Sequence, residues 1–251
     1  MKSLQLFGVD VSKKALDLAR LNRKLQSDAW LGRNGGLQRM QSLEAIKFVD
    51  ADVLGSPETS PSVISALHRT SGSGNPPRCD VLISNPPYIS SKAYRTTIAR
   101  SVRDYEPKLA LVPTELPGST KVDDGDVFYP RLLELAKQLQ TQVVLFEVAD
   151  MEQAKRVVSM AIEQGEWTGI EIWKDEPGVH DSLPQHVTVQ DRTVELHSLQ
   201  LADRAFSFVS ASPSLVVRAV MAGDSRKWLH GNDQQEADSP ACVSETCSFV
   251  S

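Results

Sequence analysis

Short apolar runs alternate with stretches of helical period from residue 4 to residue 176 of this 251-residue chain. That alternation restricts the fold more than any single residue does. "LQLFGVDV" has strand length, and "SKKALDLARLNRKLQ" behind it sets Ala15, Leu18, Ala19, Asn22 and Leu25 on one helical stripe, with Ser12 as the N-cap. The polar "SDAWLGRNGGLQRMQ" reads as a loop, and "AIKFVDADV" as the second strand. "CDVLIS", "TQVVLFEVA" and "WTGIEIWKD" follow as strands. Between them, "VFYPRLLELAKQLQ" spaces Phe128, Leu132, Leu135, Ala136 and Leu139 for one buried helical face, and "MEQAKRVVSMAIEQ" does the same with Ala154, Val157, Val158 and Ala161. Strands in alternation with helices predict a parallel α/β sheet covered by helices on both faces.

Three stretches depart from the pattern. The Ser-, Pro- and Gly-rich segment over residues 54–78 reads as a surface insertion with one or two helical turns at most. Residues 90–127 read as irregular, with turn signals at "LPGS" and "DDGD". Beyond Pro177 the regularity fades, which divides the chain into a principal domain over 1–180 and a C-terminal segment over 181–251. In that segment "LPQHVTVQDRTVELHSLQ" and "LVVRAVMAGDSRKWLHG" are expected as strands closing the sheet edge, and the last twenty residues as a frayed polar tail.

Several function classes lack their sequence marks. A net charge of −5 gives no basic footprint for nucleic acid. Cys79, Cys242 and Cys247 form no C-x-x-C pair, and the five histidines have no metal-ligand spacing, so no metal is expected. No apolar run reaches the ~18 residues of a membrane span, and Asp10 interrupts the N-terminus before a signal-peptide core can build up.

The chemistry is concentrated where the third strand ends, at "SNPPYIS". Pro86 and Pro87 offer no backbone N–H and fix φ, so the ladder must stop there. Pro87 also holds Pro86 extended, which sets the direction of the Pro86 carbonyl. With the Asn85 side-chain carbonyl beside it, two preset acceptors face the crevice at the carboxyl edge of the sheet. Such a pair matches a planar –NH₂ group, either a glutamine amide or the exocyclic amine of adenine or cytosine, with Tyr88 lying against the planar face. Binding both protons aims the weakly nucleophilic nitrogen at an incoming electrophile.

Two further strands end in acids. Asp10 is placed to accept from the two hydroxyls of a ribose, although a strand-end Asp beside a helix N-terminus is also an ordinary structural feature. Asp52, in "VDADV", is placed to accept from an adenine amine, and Asp50 competes for the same role.

"GVDVSKKALDLARLN", "FVDADVL", "DVLISNPPYIS", "RDYEPKLALVP", "DGDVFYPRLLELA", "VVLFEVAD" and "IEIWKD", in that order, resemble the HemK-type release factor glutamine methyltransferases. The resemblance implies a Rossmann-like class I methyltransferase sheet. It implies S-adenosylmethionine as methyl donor, and the side-chain amide of the Gln in the Gly-Gly-Gln loop of a peptide chain release factor as acceptor. It assigns Asp10 to the cofactor ribose, Asp52 and Val53 to the adenine, and Asn85 to both the methionine end of the cofactor and the substrate amide. Pro86 supplies the second acceptor, Pro87 completes the motif, Tyr88 packs on the amide plane, and Glu106 and Pro107 shape the substrate entrance. Members of this family carry a central first strand and a G-x-G-S-G loop ahead of the Asp10 strand. Neither is found here, and "SGSG" at residues 71–74 precedes a strand instead of joining strand to helix. The chain is therefore expected to be an N-terminally truncated methyltransferase domain, with mitochondrial location as the first expectation and cytoplasmic as the second. The alternatives are an N6-adenine nucleic-acid methyltransferase, which shares N-P-P-Y, and a non-catalytic remnant.

Overall fold

The computed structural model describes residues 4–55, 62–72, 74–113, 124–174, 185–198 and 214–219. Along them run β1 (Leu6–Asp10), α1 (Lys13–Ala29), α2 (Gly36–Glu44), β2 (Ile46–Asp50), α3 (Val63–Ser71), β3 (Val81–Ser84), α4 (Ser91–Thr96), α5 (Arg100–Tyr105), α6 (Phe128–Gln138), β4 (Val143–Val148), α7 (Met151–Gln164), β5 (Gly169–Lys174), β6 (Gln185–Val189), β7 (Arg192–Ser198) and β8 (Ser214–Ala219). The architecture is α/β, as the alternation requires. β1 pairs in parallel with β2, which sets Asp10 opposite Asp50. The other six strands form one sheet in the order β3-β4-β8-β5-β7-β6. Its pairings are parallel except for the antiparallel hairpin of β6 and β7 at the edge. Among the described residues no pairing joins β1 to β3.

β4 is apolar without alternation because both of its faces are covered. Val144, Phe146 and Val148 point to one side and are fully buried, and Val143 on the other side is buried too. One core spans the two groups of strands, joining Val9 and Val49 to Leu82 and Val144. The stripes read on the two long central helices are the ones that pack: Phe128, Leu132, Leu135, Ala136 and Leu139 on α6 and its cap, and Ala154, Val157, Val158 and Ala161 on α7, are all buried. A side chain that removes this much apolar surface from water contributes about 1.5–3 kcal/mol.

Other expectations are corrected. The α1 stripe is rotated: Leu18 and Leu25 are 57% and 56% exposed, and the inward side carries Leu16 and Ser27. The reason is polar, since the half-buried Arg23 of α1 donates to the Ile46 carbonyl at the start of β2 and holds that side of the helix to the strand. Part of the supposed loop after α1 is helix α2, entered through Gly35 in the left-handed region. The insertion contains α3, capped by Ser62, whose Val63, Ala66 and Leu67 belong to the core; this segment is a covering helix between β2 and β3. Residues 90–127 include α4, α5 and 3-10 turns at Lys108–Ala110 and Asp124–Asp126. β8 does not close an edge, because it lies between β4 and β5. The proposed frayed tail lies outside the described residues.

The turn from α1 to α2 closes tightly around Gly36, where an added Cβ would come within 2.1 Å of the Trp30 carbonyl oxygen. That oxygen is backbone and already accepts from Arg33, so it cannot step aside cheaply. Gly36→Ala is expected to destabilise the protein by more than ~1 kcal/mol. In urea denaturation the midpoint should fall at unchanged slope.

Candidate active site

Ser84, opposite Phe146, is the last residue of the β3 ladder and is buried. Pro86 and Pro87 behind it are buried as well, and Asn85 and Tyr88 are half-buried on either side of them. The two proline rings thus anchor the segment, and the Tyr88 ring packs in part against the core. The Asn85 side chain makes no hydrogen bond to another described residue. Tyr88 differs: its hydroxyl stands 3.5 Å from Glu147 Oε1, and its carbonyl accepts from Gln153 Nε2 at 3.3 Å. The next amide, Ile89 N–H, donates to the Leu111 carbonyl at 3.0 Å. The peptide unit joining residues 88 and 89 is therefore held at both its oxygen and its nitrogen.

Asp10 and Asp50 end paired strands in register. Asp10 Oδ1 accepts from Ser12 N–H at 2.6 Å, and Asp50 has Lys13 Nζ at 4.0 Å. Burial pushes the Asp10 carboxyl above its ordinary range, the Ser12 amide works against that, and the neighbouring Asp50 charge adds to it. Between the competing acids of the second strand, Asp50 is exposed while Asp52 is half-buried beyond the strand end, where its Oδ1 accepts from Leu54 N–H at 2.9 Å. Val53 is buried and its carbonyl accepts from Arg131 Nε at 3.3 Å.

Helix α6 links these two regions. Arg131 reaches the carbonyl beyond β2, while the fully buried Tyr129 donates its hydroxyl to the Glu147 carbonyl at 2.9 Å. Burial raises the Tyr129 pKa far above its ordinary value, which favours the phenol as a donor. A second group lies behind Tyr88. Asp126 is 1% exposed and receives Arg156 Nε at 2.5 Å, Arg156 Nη2 at 3.0 Å and Gln153 Nε2 at 2.8 Å. Tyr129, Arg131, Asp126, Gln153 and Arg156 were not found by sequence reasoning. For Gln153 a signal existed: it directly precedes Ala154 on the buried side of α7, where a polar residue needs partners.

Glu106 and Pro107, expected at the substrate entrance, are exposed. Other candidates fall into place as structure. Gly72 of "SGSG" is the left-handed C-cap of α3. Trp167 is buried with its Nε1 on Gln164, and Trp173 Nε1 donates to Glu171. No group of metal-ligating side chains occurs among the described residues, and no described helix is long and apolar enough to cross a membrane.

No protein-family model matches the chain, and no solved structure matches it. It is 29% identical over 194 residues to a probable mitochondrial N(5)-glutamine methyltransferase of Schizosaccharomyces pombe, covering 74% of this chain and 52% of that protein. It is 27% identical to a release factor glutamine methyltransferase of Fusobacterium nucleatum, over 71% of this chain and 39% of that one. With a release factor glutamine methyltransferase of Bacillus cereus it shares 30% identity over 64% of this chain and 44% of that one. These relatives bear out the resemblance read from the sequence blocks. The chain spans about half the length, or less, of the curated relatives it matches.

Because the Asp10 pKa is raised, the folded state holds more protons than the unfolded chain from pH 3.8 upward to the folded value, and stability falls as pH rises through that window. Asp10→Asn keeps an oxygen for the Ser12 amide and removes the buried charge. Its melting temperature should equal or exceed that of the parent at pH 7, and the downward slope above pH 3.8 should shrink. Thermal melts across this range check both.

Proposed function

We propose that this chain is the catalytic core of an S-adenosylmethionine-dependent methyltransferase that methylates the side-chain nitrogen of a glutamine in a peptide chain release factor. The observation that carries the reading is the half-buried Asn85 side chain, without a hydrogen-bond partner among the described residues, next to two buried prolines at the end of β3. A half-buried amide in that condition favours a ligand that completes its hydrogen bonds. When bound, S-adenosylmethionine supplies a methyl carbon on a sulfonium: transfer makes an N–C bond, breaks the S–C bond and releases one amide proton.

In this reading the Asn85 side-chain carbonyl and the Pro86 carbonyl each accept one proton of the substrate –NH₂. Pro87 keeps Pro86 extended, and the Tyr88 ring covers the amide plane. Asp10 accepts from the ribose hydroxyls, and Asp52 and Val53 border the adenine. The donor set fits that molecule: Asp10 Oδ2 makes no hydrogen bond to a described residue, while its Oδ1 is steadied by Ser12. The same reading places a further strand between β1 and β3, each of which pairs on one side only among the described residues. A glycine-rich turn at the carboxyl end of that strand would hold the methionine portion. The protein partner is a release factor, and the location suggested by the Schizosaccharomyces pombe relative is mitochondrial.

Asn85→Ala, made in a version that carries the proposed strand and glycine-rich turn, is expected to lower methyl transfer from labelled S-adenosylmethionine to a release factor by about 10²–10³-fold, as removal of one preorganised hydrogen-bonding group does. Near-normal turnover of that variant would sink the assignment. Calorimetry tests the sheet: the 251-residue chain should bind S-adenosylmethionine weakly, and a version extended by a strand and a G-x-G-S-G turn should bind it tightly. Tight binding by the unextended chain would show that no strand is needed between β1 and β3.

A further inference from the structure

The Gln153 amide is oriented without ambiguity. Its Oε1 accepts from Ala149 N–H at 2.7 Å, so its Nε2 must face the three oxygens on the other side: Asp126 Oδ1 at 2.8 Å, the Gly125 carbonyl at 3.1 Å and the Tyr88 carbonyl at 3.3 Å. Gln153 is 3% exposed; its contacts to Gly125 and Asp126 are buried, and those to Tyr88 and Ala149 are partly so. The backbone of Gln153 is fixed as well, because its N–H caps onto Asp150 Oδ1 in the first turn of α7. Asp126 is in turn held by both nitrogens of the Arg156 fork, one turn further along the same helix.

We propose that Gln153, held by Asp126 and Arg156, is a positioning residue that clamps the Tyr88–Ile89 peptide and so sets the spacing between Asn85 and the Tyr88 ring. Asn85 is fixed from one side by the last rung of the β3 ladder at Ser84. Across Pro86 and Pro87 both φ angles are locked by the rings. The ψ rotations that remain let the chain swing beyond Pro87, and the two bonds on the 88–89 peptide oppose that swing: Gln153 at its oxygen, the Leu111 carbonyl at its nitrogen. The assignment of a catalytic consequence rests on the reading of Asn85 to Tyr88 as the grip on a substrate amide. The clamp itself rests on geometry alone.

The experiment separates the two. Gln153→Met keeps the volume and removes both the donor and the acceptor. Amide hydrogen exchange of the 251-residue chain should show Ile89 exchanging about tenfold faster, as for the loss of one hydrogen bond, with the β4 amides unchanged. Should Gln153→Met fail to fold, Gln153→Leu removes the same donor and acceptor without setting an oxygen against the Tyr88 carbonyl. The same acceleration is expected there. Unchanged Ile89 exchange in a folded variant overturns the clamp. In the version extended by the proposed strand and glycine-rich turn, methyl transfer to a release factor by Gln153→Met should lose between about tenfold and a hundredfold in kcat with the KM for S-adenosylmethionine unchanged. Faster exchange with an unaltered kcat overturns the positioning role. If the parent protein transfers no methyl group to a release factor, the functional reading fails and exchange alone decides the clamp.

Discussion

A carboxylate buried as deeply as that of Asp126 must be compensated on every side. The compensation comes from one helix: Arg156 supplies the charge and Gln153 a further donor. Meeting both demands at once fixes the height and rotation of α7 against the Asp124–Asp126 turn. With α7 fixed, its first turn meets the chain leaving β3, and the Asp150 cap and the Ala149 amide tie the end of β4 into the same arrangement. Apolar packing of Ala154, Val157, Val158 and Ala161 supplies the bulk of the burial on α7. It does not choose among small slides and rotations of the helix, whereas a forked ion pair with directional bonds does.

The opposite corner shows what such a site tolerates. Asp10 and Asp50 stand opposite each other at the ends of two paired strands, an arrangement of like charges that opposes pairing. Burial makes it worse for Asp10, and among the described residues the Ser12 amide and, for Asp50, the distant Lys13 ammonium act against it. The ribose contact proposed for Asp10 would use this same charge, since a carboxylate that costs the empty fold stability is one that a ligand's hydroxyls can satisfy.

What the sequence disclosed and what it hid follow from the range of each interaction. Helices α6 and α7 were legible because their apolar stripes are the faces that pack. The proline stop after β3 was legible because it is local chemistry, independent of neighbours. α1 was misread because its leucines are regularly spaced but turned outward, and no pattern of spacing tells a reader which side of a helix a distant strand occupies. α3 was missed for the converse reason: Ser, Pro and Gly on either side conceal a short apolar face. The clamp behind Tyr88 joins Tyr88 to Gln153 and Asp126 to Arg156, residues far apart in the chain. No window of sequence contains both partners of either bond.

The position of β8 has a consequence for how the molecule comes into being. This strand separates β4 from β5, pairing Val143 with Ser214 on one side and Gly169 with Ser214 on the other. Yet it is the last described strand to be synthesised. A ribosome that has released β4, α7 and β5 has released two strands whose facing edges have no partner in the final arrangement until residues 214–219 emerge. Pairings across such sequence separations are slow to form, because loop closure precedes any gain from contact. During that interval the unpaired edges of β4 and β5 are exposed to aggregation. Its safe passage therefore depends on how quickly the C-terminal segment follows, and on what covers those edges until it does.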